Sequence, residues 1–148
     1  NLIFELDSDE RVMEFIRPPI TRLNQAQDGY DRIMNTRQID SRFGNWVAVT
    51  KHSNEKIGWF CLKYIDKTNL VEVGYRLLFN HWGNGYATEG AKALIEYGFN
   101  ICNLDEIVGI THPNNKRSQH VLEKCGLRFI KEWHVYETDV FYYAIKKT

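Results

Sequence analysis

The segment "HWGNGYATEGA", His81 to Ala91, decides how the rest of the chain is read. Gly83 and Gly85 stand immediately before a run with helical spacing. Ala87, Ala91, Leu94, Gly98 and Ile101 share one face of that run, and Glu89, Lys92 and Glu96 fall elsewhere on the wheel. Flexible residues at a helix start need a reason. The first amides of a helix have no intrahelical partner, and the helix dipole adds partial positive charge at that end. Glycine permits positive φ and a close backbone approach to a ligand. Together these suit a phosphate-like anion. The alternative is a tight strand–helix turn in which the glycines serve geometry alone. The stretch lacks the Gly-Lys-Ser/Thr of a nucleotide loop. It also misses a complete G-x-G-x-x-G fingerprint, because Thr88 stands at the third glycine's place.

Upstream, "NLVEVGYRLLFN" (Asn69–Asn80) alternates as a strand does, with Val71, Val73, Tyr75, Leu77 and Phe79 on one face and Glu72, Gly74 and Arg76 on the other. A bulge would swap the faces beyond Arg76. "NWVAVTK" (Asn45–Lys51) and "KIGWFCLKY" (Lys56–Tyr64) flank a polar turn and form a hairpin. Before them lie helical pieces broken near Asp7–Ser8, where an N-cap fits, then the helix-breaking Pro18–Pro19 pair and a polar helix from Thr21 to about Met34. Downstream, Asp105–Thr111 is a short buried strand. Asn114–Gly126 is a helix with Asn at its start and Gly126 as its stop. Two aromatic-rich strands, near Phe129–Tyr136 and Asp139–Lys146, end the chain. The order predicts a mixed α/β domain around one main sheet.

At 148 residues, without repeats or linker-like stretches, residues 1–148 read as a single domain. Nineteen basic residues balance nineteen acidic ones, so nothing pulls the chain generally toward nucleic acid or membrane, and an anion site must be built locally. No apolar run approaches the ~20 residues of a membrane span. Cys61, Cys102 and Cys125 are odd in number and far apart, which reads as buried or semi-buried thiols in a reducing cytoplasm. His112, His120 and His134 lack ligand spacing, so no metal site is expected. The opening "NLIFELDSDERVMEF" reads as the middle of something and points to residues upstream.

"EVGYRLLFNHWGNGYATEGAKALIEYGF" resembles the acetyl-CoA-binding segment of the GNAT superfamily of N-acetyltransferases, most closely the ribosomal-protein N-terminal acetyltransferase branch. The signature Gln/Arg-x-x-Gly-x-Gly/Ala falls on Trp82, Gly83, Asn84, Gly85, Tyr86 and Ala87, with Trp82 departing from Gln/Arg. "HPNNKRSQHVLEKCGLRF" resembles that branch's Asn-x-x-Ser helix followed by Lys-x-Gly-aromatic, here Asn115, Ser118, Lys124 and Gly126, with Leu127 at the aromatic's place. The likeness runs from about Trp46 to Ile145. It implies a GNAT fold: a mixed, mostly antiparallel sheet splayed at the cofactor strand, flanked by about four helices, its usual first strand lying before Asn1.

The resemblance also implies chemistry, with acetyl-CoA as co-substrate and no metal. An acetyl group would pass from acetyl-CoA to a primary amine, either a protein N-terminus or a small molecule, by direct attack. The amides of Gly83 through Thr88 would hold the pyrophosphate. Leu77 and Leu78 would pair with the pantetheine arm and supply an oxyanion N–H, and Asn115 and Ser118 would reach the cofactor from the later helix. Ser118 is the candidate acid and Glu72 the candidate base, with Glu137 a weaker second. Lys116 and Arg117 are candidates for the CoA 3′-phosphate. Other branches carry a tyrosine where Leu122 stands. The alternatives are a non-catalytic acyl-CoA-binding regulatory module of the same fold and a phosphate-binding domain with another ligand, such as a nucleotide. The expected partner is the amine acceptor, and dimerisation through the sheet is compatible with the fold.

Overall fold

The computed structural model describes residues 1–148. Its strands are β1 (Gly44–Val49), β2 (Lys56–Tyr64), β3 (Val71–Leu77), β4 (Glu106–Thr111), β5 (Arg128–Val135) and β6 (Thr138–Lys146). They form one six-stranded sheet in the order β1-β2-β3-β4-β6-β5. Every neighbouring pair is antiparallel except β3 and β4, which run parallel and are in register only at Glu72↔Val108. Beyond that pair the two strands part toward their C-terminal ends. This is the mixed sheet that the element order predicts, with the splay that the family resemblance implies.

Five α-helices accompany the sheet: α1 (Leu2–Ser8), α2 (Glu10–Met13), α3 (Ala26–Ile39), α4 (Tyr86–Asn100) and α5 (Lys116–Lys124). The break between α1 and α2 falls at Asp9, whose carboxylate caps α2 by accepting from Arg11 N at 2.9 Å. Period-two alternation then sends neighbouring strand residues to opposite layers. Leu62, Val71, Val73 and Ile107 pack with Ala91 and Ile95 of α4 and Leu122 of α5. Trp59, next to Phe60 on β2, instead packs with Leu6, Val12 and Met13 of the first two helices.

The small-residue face of α4 lets the helix lie close on β2. The tightest point is Gly90, where a side chain would overlap the ring of the buried Phe60. Gly90→Ala gains about 1 kcal/mol of helix propensity but overpacks a filled site, which costs about 1–3 kcal/mol. Net destabilisation, read as a lower midpoint of thermal unfolding, is the expected outcome. An unchanged midpoint would show that Phe60 has room to yield. Ile101, expected on the buried face, is instead the C-terminal cap residue of α4 and is 67% exposed.

Candidate active site

The glycine turn sits where β3 ends at the splayed mouth. After Leu77 the chain makes one 3-10 turn at Phe79–His81 and enters the loop, so Phe79 has left the strand face expected for it. Gly83 and Gly85 both have φ of +79°, and a side chain added at either would meet nothing within 4 Å. The loop therefore faces open space. Gly85 caps α4 without a side chain, so the first-turn amides keep their hydrogens unpaired. Glu89 N–H is the first to be satisfied, by Gly85 O at 3.0 Å, and none of the amides from Gly83 through Thr88 donates within the chain. Six consecutive unpaired N–H groups at a helix N-terminus, two of them on glycines of positive φ, are donors of the kind an anion site uses.

Two contacts hold the loop in shape. His81 Nε2 lies 3.2 Å from Glu55 Oε1 of the β1–β2 turn, and Asn84 Nδ2 donates back to His81 O at 3.1 Å. Trp82, at the place where the family has Gln or Arg, turns its indole toward β3 and donates Nε1–H to Leu77 O at 2.9 Å. The Arg117 guanidinium of α5 stands 5.2 Å over that indole. Trp82 thus brings the first turn of α5 against the cradle, and Arg117 is the cation beside it.

Of the two residues at the end of β3 expected to face the cofactor, Leu77 and Leu78, only one has a free amide. Leu78 N–H is spent on Ile57 O at 2.8 Å. Alternation along an antiparallel pair then leaves Leu77, opposite Gly58, with its N–H pointing away from β2 and into the gap. Across the mouth, Thr111 ends β4 with its hydroxyl buried and unpartnered.

The start of α5 brings the second motif to the same place. Asn115 caps the helix, its side-chain oxygen accepting from Ser118 N at 3.1 Å, which leaves the Asn115 amide NH₂ free to donate. Ser118 is half-buried, and its hydroxyl lies close enough to Tyr75 of β3 to act on that phenol's ionisation. Burial pushes the Tyr75 phenol up, with Ser118 working the other way. Tyr75 was not singled out from the sequence, because its parity with Val71 and Val73 reads as core. Leu122, at the family's tyrosine position, is buried in the core.

Glu72 stands five residues before Leu77 and is only 6% exposed. β3 is an inner strand covered on both faces, so the candidate base is a buried carboxylate. Tyr136, at the β5–β6 turn, donates to Glu72 Oε1 at 3.0 Å, and Lys63 Nζ pairs with it at 3.5 Å. Burial pushes the Glu72 carboxyl up, offset in part by Lys63 and by Tyr136. Glu137, the weaker candidate, is exposed at the same turn with φ of +58°. On Glu72's face of β3, Arg76 meets Asp7 of α1, a residue expected at a helix start and found 3% exposed. His112 stacks on Phe15 and His134 pairs with Asp139, and no group of three or more His, Cys, Asp and Glu side chains is arranged to hold a metal. All three cysteines are free and buried. No helix is long and apolar enough to cross a membrane.

A parallel strand pair that splays beside a glycine-turn cradle, with a second helix start closing over it, defines an acyltransferase architecture of the GNAT kind. The chain belongs to that family: the family model described as acetyltransferase (GNAT) domain matches residues 1–128. It is 35% identical over 127 residues to "Uncharacterized N-acetyltransferase p20" of Bacillus licheniformis, covering 84% of this chain and 70% of that protein. It is 31% identical over 137 residues to "FsC-acetyl coenzyme A-N(2)-transacetylase" of Aspergillus fumigatus, covering 86% and 57%. The chain thus spans little more than half of the second relative's length. Among solved structures, the aminoglycoside acetyltransferase AAC(6')-Ib in complex with coenzyme A superposes with a TM-score of 0.81 at 18% identity, over 98% of this chain and 87% of that one. At that identity the likeness is one of fold.

Proposed function

We propose that the chain is an acetyl-CoA-dependent N-acetyltransferase acting on a primary amine. The observation that carries the reading is the row of six unpaired amides, Gly83 through Thr88, on a turn with no side chain in the way. These groups fit a pyrophosphate. Arg117 and Lys116 at the start of α5 suit the remaining phosphate, the Asn115 amide suits the pantetheine arm, and neither cradle nor gap is blocked by a covalent or ionic contact. The placement of Asn115 and Ser118 is what supports the ribosomal-protein branch, and the acceptor, protein N-terminus or small molecule, is narrowed below.

Acetyl-CoA supplies the acetyl group as a thioester: the amine nitrogen bonds the carbonyl carbon, the carbon–sulfur bond breaks, and the sulfur leaves with a proton. The chain's own residues hold and move the protons. Leu77 N–H lies where an oxyanion at the mouth would accept a hydrogen bond. Ser118, backed by the neutral Tyr75 phenol, is the proton donor at the leaving side. Glu72, its carboxyl raised by burial and standing five strand residues before Leu77, takes the ammonium proton through a chain of waters, so that the nitrogen lone pair is free to attack.

The reading is tested by CoA thiol release in the presence of an amine panel, wild type beside Ser118→Ala. Wild type is expected to bind acetyl-CoA and transfer, and Ser118→Ala to lower kcat by about tenfold or more with little change in acetyl-CoA affinity. Binding without transfer to any amine would support the regulatory module instead. Wild-type turnover in Ser118→Ala would remove Ser118 from the proton path.

A further inference from the structure

One carboxylate and two guanidiniums meet beside the splayed mouth. Asp7 accepts from Arg76 Nη1 at 2.6 Å and from Arg17 Nη2 at 3.0 Å. The cluster therefore carries one positive charge in excess. Only Nη1 of Arg76 is engaged by Asp7. The opposite edge of that guanidinium, formed by Nε and Nη2, makes no hydrogen bond within the chain, and its Nε is buried. A buried N–H donor left unpaired costs stability, so this edge calls for an acceptor.

Two other arginines of the same chain display what that edge binds. Arg11 grips the Asp9 carboxylate through Nε at 3.0 Å and Nη2 at 2.6 Å. Arg42 grips Asp40 through Nε at 3.1 Å and Nη2 at 2.7 Å. The two N–H groups match the spacing of two carboxylate oxygens. Arg76 is held ready for the same fork. Its guanidinium is fixed by Asp7 at one end and by the Trp59 ring 5.0 Å beneath it, and its side chain is 14% exposed. In sequence it precedes Leu77, whose N–H enters the gap. The nearest carboxylate along this strand face, Glu72, is already held by Lys63 and Tyr136.

We propose that the Nε–Nη2 edge of Arg76 binds a carboxylate of the acceptor, so that the acceptor is a small amine carrying a carboxylate, as an amino acid does, and not a polycation. The proposal rests on the acetyltransferase reading above. A polyamine or aminoglycoside would meet the excess positive charge of Arg17 and Arg76, whereas an amino acid offers the anion that the unpaired edge lacks.

The test is CoA thiol release by the full chain at saturating acetyl-CoA. The acceptors are α- and ω-amino acids, each beside its own carboxamide, with spermidine and kanamycin added. The carboxamide keeps the amine and the size and removes only the charge. The expected kcat/KM is about tenfold or more higher for the acids, as loss of a charge-assisted hydrogen-bonded pair would give. In Arg76→Lys, which keeps a cation beside Asp7 but has no fork, that acid-over-amide ratio is expected to collapse toward one through KM. If Arg76→Lys does not fold, the wild-type ratio decides alone. Equal rates on acids and amides, transfer confined to spermidine and kanamycin, or an undiminished ratio in a folded Arg76→Lys would overturn the proposal and leave the acetyltransferase reading standing. No transfer to any amine would overturn both.

Discussion

Gly85→Asp is expected to abolish useful acetyl-CoA binding while leaving the fold intact. The site tolerates the change sterically, because nothing lies within 4 Å of an added Cβ. The φ of +79° is one that aspartate accepts better than most residues. Electrostatics decides the outcome. A carboxylate at the start of α4 would take up first-turn amides that are otherwise free, and would place negative charge where the pyrophosphate must sit. Losing two or more charge-assisted hydrogen bonds, each worth about 1.5–3 kcal/mol, weakens binding by about a hundredfold or more. Calorimetric titration with acetyl-CoA would report it, beside a thermal midpoint close to wild type. Gly85→Ala separates backbone from charge: it carries the αL strain of about 1–2 kcal/mol but leaves the amides free, so its affinity should stay within a few-fold of wild type. An unchanged dissociation constant in Gly85→Asp would move the pyrophosphate elsewhere.

The features legible in the sequence were those fixed by local rules. Gly83, Gly85 and the helical run after them announce a turn with positive φ and an open helix start, because no side chain is there to cap it. Strand parity placed Glu72 and Arg76 on one face of β3. What remained hidden depends on contacts distant in the chain. Asp7 lies ten residues from Arg17 and sixty-nine from Arg76, so nothing local tells a buried ion cluster from a helix-start acid. Tyr136 reaches Glu72 across sixty-four residues because the β5–β6 hairpin folds back over β3. Trp82 looked like a family exception, yet its indole bonds back to Leu77 and carries Arg117. Tyr75 is a polar residue at a core position, which only the packing of α5 could reveal as a neighbour of Ser118.

Glu72→Gln separates the chemical role of Glu72 from a structural one. The substitution keeps an acceptor for Tyr136 and removes the charge. The Glu72–Lys63 pair contributes little to stability, since Lys63 is 37% exposed and its partner can be replaced by water. Burial raises the folded-state carboxyl pKa above its unfolded value. The group therefore favours the folded state fully only below the unfolded pKa of about 4.3, and that contribution is lost as pH rises through the folded value. Where it is ionised, Glu72 is a burden on the fold, and Gln should leave the thermal midpoint unchanged or slightly higher. Activity should move the other way. A positioned base contributes about 10²–10⁴-fold, so kcat is expected to fall by a hundredfold or more at neutral pH. In wild type, the acid limb of kcat/KM should lie above the range of an ordinary glutamate, because the base acts only when ionised. In Glu72→Gln that limb should vanish. A variant of full activity with the same acid limb would assign the proton to another group and leave Glu72 as the anchor for Tyr136 alone.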